Sequence, residues 1–335
     1  MSYTKWAISG IMLIVLSIPV LALPESPHPY PNNCDQIQTF TATGSLGLEV
    51  TFSSETCVAD GDFIILTDGQ GRVIGKFEHD CLAGLTIGVE GDTLNIRLVS
   101  DDEKNAYGYA FTSVRTLHTR AAETVTVDYS RADTLADDDL KAELYNLTKG
   151  NVALGYNLAR QKMFGQIDNE NGYVACVYTG RLVKTTVIPN GSDMNTEHSW
   201  PQSLGAENEP AKSDLNHLYP TDSETNSRRS SYPFGNVYTV TWTKGNSSLG
   251  KDQSGTVIFQ PRPEHRGNLA RSMFYFSIRY KLALDAKQEQ ALKQWNREDP
   301  VDAKEAARTD EISTFQKTRN PFVDHPEYAD RIADF

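Results

Sequence analysis

Between Asn195 and Arg229 the chain gathers side chains that can hold a metal ion, move a proton and grip an anion. Three runs carry them: Asn195-Thr-Glu-His-Ser-Trp-Pro-Gln-Ser203, Asp214-Leu-Asn-His-Leu-Tyr-Pro220 and Asp222-Ser-Glu-Thr-Asn-Ser-Arg-Arg229. The Glu197 carboxylate is a hard oxygen ligand suited to Mg²⁺, and Asn226 offers a neutral carbonyl oxygen. One carboxylate and one amide leave such an ion several positions for water and phosphate oxygens. His198, as a neutral imidazole with an ordinary pKa of about 6.5, can take a proton from water. Neighbours on a regular strand point to opposite faces, so Glu197 and His198 serve one ion only at an irregular strand end. The Arg229 guanidinium has the fork that pairs with phosphate, and Arg228 beside it is a further contact or a solvated charge. The chemistry these residues support is metal-assisted hydrolysis of a phosphodiester. The other polar side chains have plainer readings: Asp214 orients the fold, His217 packs or hydrogen-bonds, and Trp200 and Pro201 are architectural.

These residues need scaffolds that a chain of 335 residues can supply; its length suggests two domains, and 39% hydrophobic content fills real cores. The formal charge of −12 excludes a nucleic-acid binder that relies on a globally basic surface. From Lys184 to Lys281, however, there are 11 Lys/Arg and 9 Asp/Glu, so the acidity lies outside the candidate site. Residues 1–22 read as an export signal: Lys5, then an apolar run from Trp6, closed by Val20-Leu21-Ala22. A membrane anchor is the rival, but Gly10, Ser17 and Pro19 break the run and no basic cluster follows. The rest is then expected to be secreted or periplasmic. The four cysteines, Cys34, Cys57, Cys81 and Cys176, lack zinc-site spacing and suit disulfides in three possible pairings.

Residues 34–116 predict an all-β sandwich. Leu48–Phe52 alternates, Asp62–Leu66 is a continuous apolar strand, a turn at Thr67–Gly71 leads to Val73–Phe77, and strands follow at 85–89, 93–98 and 107–114. Residues 117–128 form a polar linker, and 129–335 an α+β domain. There, the acidic turn Asp137–Asp139 opens a helix bearing Leu140, Leu144 and Leu147, with a second helix over 152–164. Strands are expected at 173–178, 238–243 and 256–259. Leu269, Met273, Phe276 and Tyr280 share a helical face, and Asp285 with Gln288 caps a further helix through Trp295. The tail from Arg319 to Glu327 reads as loop.

Two resemblances bear on these units. Cys57-(x)4-Asp62-Phe-Ile-Ile-Leu, Asp68-Gly, Phe77-(x)3-Cys81, Val99-Ser-Asp101 and Tyr107-Gly-Tyr109 make the sandwich similar to a CUB-like domain. The resemblance implies a Cys57–Cys81 disulfide and a structural Ca²⁺ held by Glu55, Asp62 and Asp101, with solvated turn carboxylates as the alternative. It also implies binding to glycan, matrix or a cell surface. Cys34 is left to pair with Cys176, or either is free.

The second covers about 129–327. Asn195–Ser203, Asp214–Pro220, Glu224-Thr-Asn226-(x)2-Arg229, Arg266-Gly-Asn-Leu-Ala-Arg271 and Asn320–Glu327 resemble the bacterial endonuclease I family, nucleases with a ββα-metal (His-Me finger) core. The resemblance implies a secreted Mg²⁺-dependent endonuclease, with Mn²⁺ or Ca²⁺ able to substitute. Such an enzyme cuts DNA, and often RNA, with little sequence preference and leaves 5′-phosphates. Residue by residue, it assigns His198 as base, Glu197 and Asn226 as metal ligands, and Arg229 as a catalytic arginine. Asp214-Leu-Asn216-His217 departs from the family's usual order of the polar pair, and Ser199–Ser213 lacks a phosphate-binding arginine, for which Arg266 and Arg271 are candidates. The chain is read as a monomer. The rival readings are an extracellular binding protein with a degenerate nuclease site and an RNA-preferring ribonuclease of the same family.

Overall fold

The computed structural model describes residues 23–117 and 125–335; the export-signal reading, and most of the linker, lie outside them. Seven strands form the first unit: β1 (Asp35–Thr41), β2 (Gly47–Phe52), β3 (Phe63–Asp68), β4 (Val73–Phe77), β5 (Thr86–Glu90), β6 (Thr93–Val99) and β7 (Phe111–Leu117). They pair antiparallel as two sheets, in the orders β1-β6-β3-β4 and β5-β2-β7. Period-2 patterning makes this a sandwich: Ile64, Leu66, Leu94, Ile96 and Leu98 face inward while their neighbours alternate outward. β1 was not legible as a strand, because nearly all of it is exposed and polar at an edge. The lead-in is tied down: Ser26 N–H donates to Tyr109 O at 2.8 Å, and Tyr30 is fully buried.

The Cys57–Cys81 bridge implied by the resemblance is not formed in this structure, where all four cysteines are free. Cys34 sits in the sandwich core, whereas Cys176 lies buried in the second unit against Asp222 Oδ2 at 3.3 Å, so these two serve separate cores. The Ca²⁺ set implied by the resemblance is not drawn together in this structure. Among the described residues no three or more His, Cys, Asp or Glu are gathered as around a metal ion. Asp62 is buried and already accepts the Tyr30 hydroxyl at 2.5 Å and the Asp101 N–H at 2.8 Å, while Glu55 is exposed.

The second unit follows as α1 (Asp137–Thr148), α2 (Tyr156–Lys162), β8 (Asn169–Glu170), β9 (Tyr173–Ala175), β10 (Leu182–Lys184), β11 (Asn195–His198), β12 (Leu218–Thr221), α3 (Ser223–Arg229), β13 (Thr239–Lys244), β14 (Ser247–Lys251), β15 (Val257–Gln260), α4 (Arg266–Tyr280), α5 (Ala286–Glu298), α6 (Ala303–Gln316) and α7 (Pro321–Asp324). α4 is the central helix, with Leu269, Ala270, Met273, Phe274, Phe276 and Ile278 all buried against α1 and α5. Helix α6 was not anticipated. Its buried side is Glu305, Arg308, Thr309, Ile312, Ser313 and Gln316, so no apolar stripe announces it. The tail also departs from expectation, forming α7 with Asn320 as N-cap.

The helix expected over 152–164 begins late, at Tyr156, and gives way to a π-helical turn at Met163–Ile167. Val152 to Leu154 instead run extended along the β5 edge of the sandwich. Gly88 N–H donates to Ala153 O and Ala153 N–H to Thr86 O, both at 2.9 Å. Ala153 is fully buried in the sandwich core. Gly155 then turns the chain into α2 at φ 74°; a Cβ there would stand 2.2 Å from Ile74 O. The sandwich edge therefore holds the start of α2.

Candidate active site

β11 and β12 form an antiparallel pair in which Glu197 faces Tyr219 and His198 faces Leu218. α3 follows β12 directly, its N-terminus fixed by Asp222, whose carboxylate accepts the Thr225 N–H at 3.0 Å. The Asn226 amide reaches back from α3 to Thr196 O at 3.4 Å, beside Glu197. Two strands and a helix thus bring Glu197, His198 and Asn226 to one place, a ββα arrangement.

Glu197 is buried. Its Oε1 accepts the Tyr178 hydroxyl at 2.8 Å and lies 3.2 Å from Arg229 Nε; Oε2 accepts nothing from the described residues. Burial raises its pKa, and the Arg229 charge pulls the other way. Arg229 is itself buried under this carboxylate. Its NH1 donates to Ser230 O at 2.7 Å, its NH2 to Ser199 O at 2.6 Å, and its guanidinium lies 4.3 Å from the Phe234 ring. Nε is not aligned for a hydrogen bond, so its contact with Glu197 is charge against charge. This corrects the reading of Arg229 as a phosphate fork: its donors face the protein, and a buried carboxylate needs such a counter-ion.

His198 Nε2 lies 3.1 Å from Lys212 O. A carbonyl only accepts, so Nε2 carries the hydrogen and the lone pair is on Nδ1; the Gln202 amide nitrogen lies over the ring, 3.2 Å from Nδ1 and 3.4 Å from Nε2. Burial, and then His217 nearby, push its pKa down to about 3, so the ring is neutral at physiological pH. His217 has a packing role: Nε2 donates to Ala211 O at 2.7 Å, and the ring lies against Phe276 and edge-on to His198. Asp214 is a buried hub, accepting the hydroxyls of Tyr275 and Tyr280, each at 2.8 Å.

The model of the family described as endonuclease I matches residues 134–327. The chain belongs to the endonuclease I family. It is 30% identical over 227 residues to an extracellular ribonuclease of Bacillus subtilis, covering 61% of this chain and 77% of that one. An extracellular ribonuclease of Bacillus amyloliquefaciens is also 30% identical, over 64% of this chain and 80% of its own length. An extracellular deoxyribonuclease of Aeromonas hydrophila is 29% identical over 33% of this chain and 48% of its own. The second CUB domain of MASP-1, solved with Ca²⁺, is similar over 28% of this chain and 88% of its own, at 20% identity and TM-score 0.25.

Not every arginine assigned to substrate in this endonuclease I chain reaches the ββα unit. Arg271 is fully buried, with Nε and NH2 on the Glu305 carboxylate at 2.8 and 2.5 Å and NH1 on Asn296 and Asp299 O. Four of its five donors are taken and the side chain is fully buried, so it presents nothing to a phosphate, which corrects its assignment. Arg266 is half-buried at the start of α4, bonded to Pro261 O and 5.8 Å from the Trp295 ring. Arg228 is exposed on α3 and has no partner among the described residues. Sequence reasoning missed Arg160 and Tyr156 on α2: Arg160 Nε donates to Thr196 Oγ1 at 3.1 Å, and the Tyr156 ring lies 5.4 Å from that of His198. No local pattern marked them, since their link to β11 is made only by folding.

Proposed function

We propose that this chain is an exported, metal-assisted endonuclease that hydrolyses nucleic-acid phosphodiesters and leaves 5′-phosphates. The observation that carries this is His198: a neutral ring, oriented by the Lys212 carbonyl, on the same ββα unit as Glu197 and Asn226. In the proposed reaction Nδ1 takes a proton from water as the water oxygen attacks phosphorus, and the bond to the 3′ oxygen breaks. The Lys212 carbonyl holds Nε2–H throughout and steadies the imidazolium that forms.

The residues present fit a divalent ion. Glu197 Oε2 and the Asn226 carbonyl oxygen carry no hydrogen bond from the described residues, and both are hard oxygen donors. So small a protein ligand set suits Mg²⁺, which keeps waters and takes phosphate oxygens; Mn²⁺ or Ca²⁺ would meet the same donors. Bound there, the ion would stabilise the charge on phosphorus and on the leaving oxygen. Glu197 would hold it, Asn226 would complete the protein share, and the Arg229 charge favours the ionised Glu197 against its burial.

DNA is one substrate of this reading. The two Bacillus relatives matched over most of their length are named ribonucleases, and that favours RNA as a second. Export follows from the amino-terminal pattern and from relatives named extracellular. The sandwich would bind glycan, matrix or a cell surface, and the chain would act as a monomer. The test is a nicking assay on plasmid DNA and on RNA with Mg²⁺, Ca²⁺ or EDTA. Cleavage should need the metal and fall by about 10²-fold or more in His198→Ala. Near-wild-type cleavage by that variant overturns the reading, and no cleavage by the wild type with any metal favours a binding protein.

A further inference from the structure

Of the arginines first read as substrate contacts, Arg228 is exposed on α3 with nothing among the described residues to anchor it, while Arg229 and Arg271 face the protein. Arg160 differs from both. Its Nε is fixed on Thr196 Oγ1, one residue from Glu197, while NH1 and NH2 donate to nothing among the described residues. An arginine anchored through Nε keeps its terminal fork pre-organised for a two-oxygen acceptor. Lys212 is the second cation. Its carbonyl orients His198, and its ammonium makes no ion pair or hydrogen bond among the described residues. Both cations approach the Tyr156 ring: Arg160 is 5.3 Å and Lys212 5.8 Å from its centroid. The same ring lies 5.4 Å from that of His198. No carboxylate is within ion-pair distance of either cation among the described residues, although the whole chain is at −12. Two unpaired cations against one aromatic ring, at the edge of the base, form a receptor for a phosphate dianion or diester.

We infer that Arg160 and Lys212 form a clamp that holds the nucleic-acid phosphate beside the bond cleaved at His198. The inference rests on the nuclease reading for its ligand, but it is tested by binding alone. It makes α2 a substrate-binding element, and because Gly155 and Ala153 seat the start of α2 on the β5 edge, the sandwich helps set where the clamp stands.

The experiment uses the full chain carrying His198→Ala, with a fluorescein-labelled DNA duplex in EDTA, and reads Kd by anisotropy as salt is varied. Arg160→Met and Lys212→Met should each lower the slope of log Kd against log salt by about 0.9, and together by about 1.8. Each should weaken binding by about tenfold at about 50 mM salt. Arg160→Lys should keep the wild-type slope, as should Thr196→Val, which removes the anchor but not the charge. An unchanged slope in the Arg160→Met/Lys212→Met double variant overturns the clamp. So does a loss in Thr196→Val equal to that in Arg160→Met, which would make Arg160 a strut for β11. Cleavage that survives His198→Ala overturns the nuclease assignment of the base while the salt slopes still decide the clamp.

Discussion

In the sandwich, β3 and β6 bury Ile64, Leu66, Leu94, Ile96 and Leu98, whereas α6 of the nuclease unit buries Glu305, Arg308, Thr309, Ser313 and Gln316. The first kind of interior is held by burial of apolar area, which is non-directional and tolerates small changes of shape. The second is held by directed pairs: Arg271 on Glu305, Arg308 on Asp168 and on Leu218 O, and two tyrosine hydroxyls on Asp214. Such pairs add little net stability, yet losing one partner leaves the other buried and unmatched. They surround the site because β11, β12 and α4 have to stand at fixed distances for Glu197 and His198 to work.

The contrast is open to direct attack. Glu305→Ala strands the Arg271 guanidinium in the core and should cost about 3–5 kcal/mol, read by urea unfolding. A cost below about 1 kcal/mol would mean that the polar core is not the fragile one. The seam between the units comes next. Gly155→Ala puts a Cβ against Ile74 O at a positive φ, and should cost about 1–3 kcal/mol by the same measurement. It should also loosen α2, seen as faster proteolysis near residues 149–156. A matching change in the sandwich, Ile96→Val, should cost only about 0.5–1.5 kcal/mol. If it cost as much as Glu305→Ala, the comparison would fail.

The smallest effect is in pH. Burial pushes the Glu209 carboxyl up to about 7, against the opposing Ser213 hydroxyl. A raised carboxyl contributes stability that is present below the unfolded pKa of about 4.5 and lost as pH rises through about 7. The melting midpoint should therefore fall by a few degrees between about pH 5 and 7, and Glu209→Gln should flatten that fall. An equally steep profile in the variant would show that another group titrates.

Strands β2 to β6 were legible because burial on one face writes itself as period-2 alternation. The central pair Glu197-His198 was legible because its chemistry is contiguous. β1 escaped for want of a buried face. Helix α6 escaped because its inward residues are polar, so the signal of burial and the signal of exposure are the same letters. Val152–Leu154 looked like the first turn of a helix, since a short apolar run has no period of its own. A sheet edge supplied by another part of the chain made it extended.

The sequence alone therefore determined which residues could do chemistry, that a β sandwich precedes an α+β unit, and which side chain is proposed as the base. Only the tertiary structure decided what each arginine does. Arg229 and Arg271 became counter-ions of buried carboxylates, while Arg160, 36 residues before Thr196, came to lie beside it with its fork open. The physical reason is that a guanidinium has one charge and five donors wherever it stands. Whether those donors meet a carboxylate, a carbonyl or open space is set by the packing of distant elements, and no local spacing encodes it.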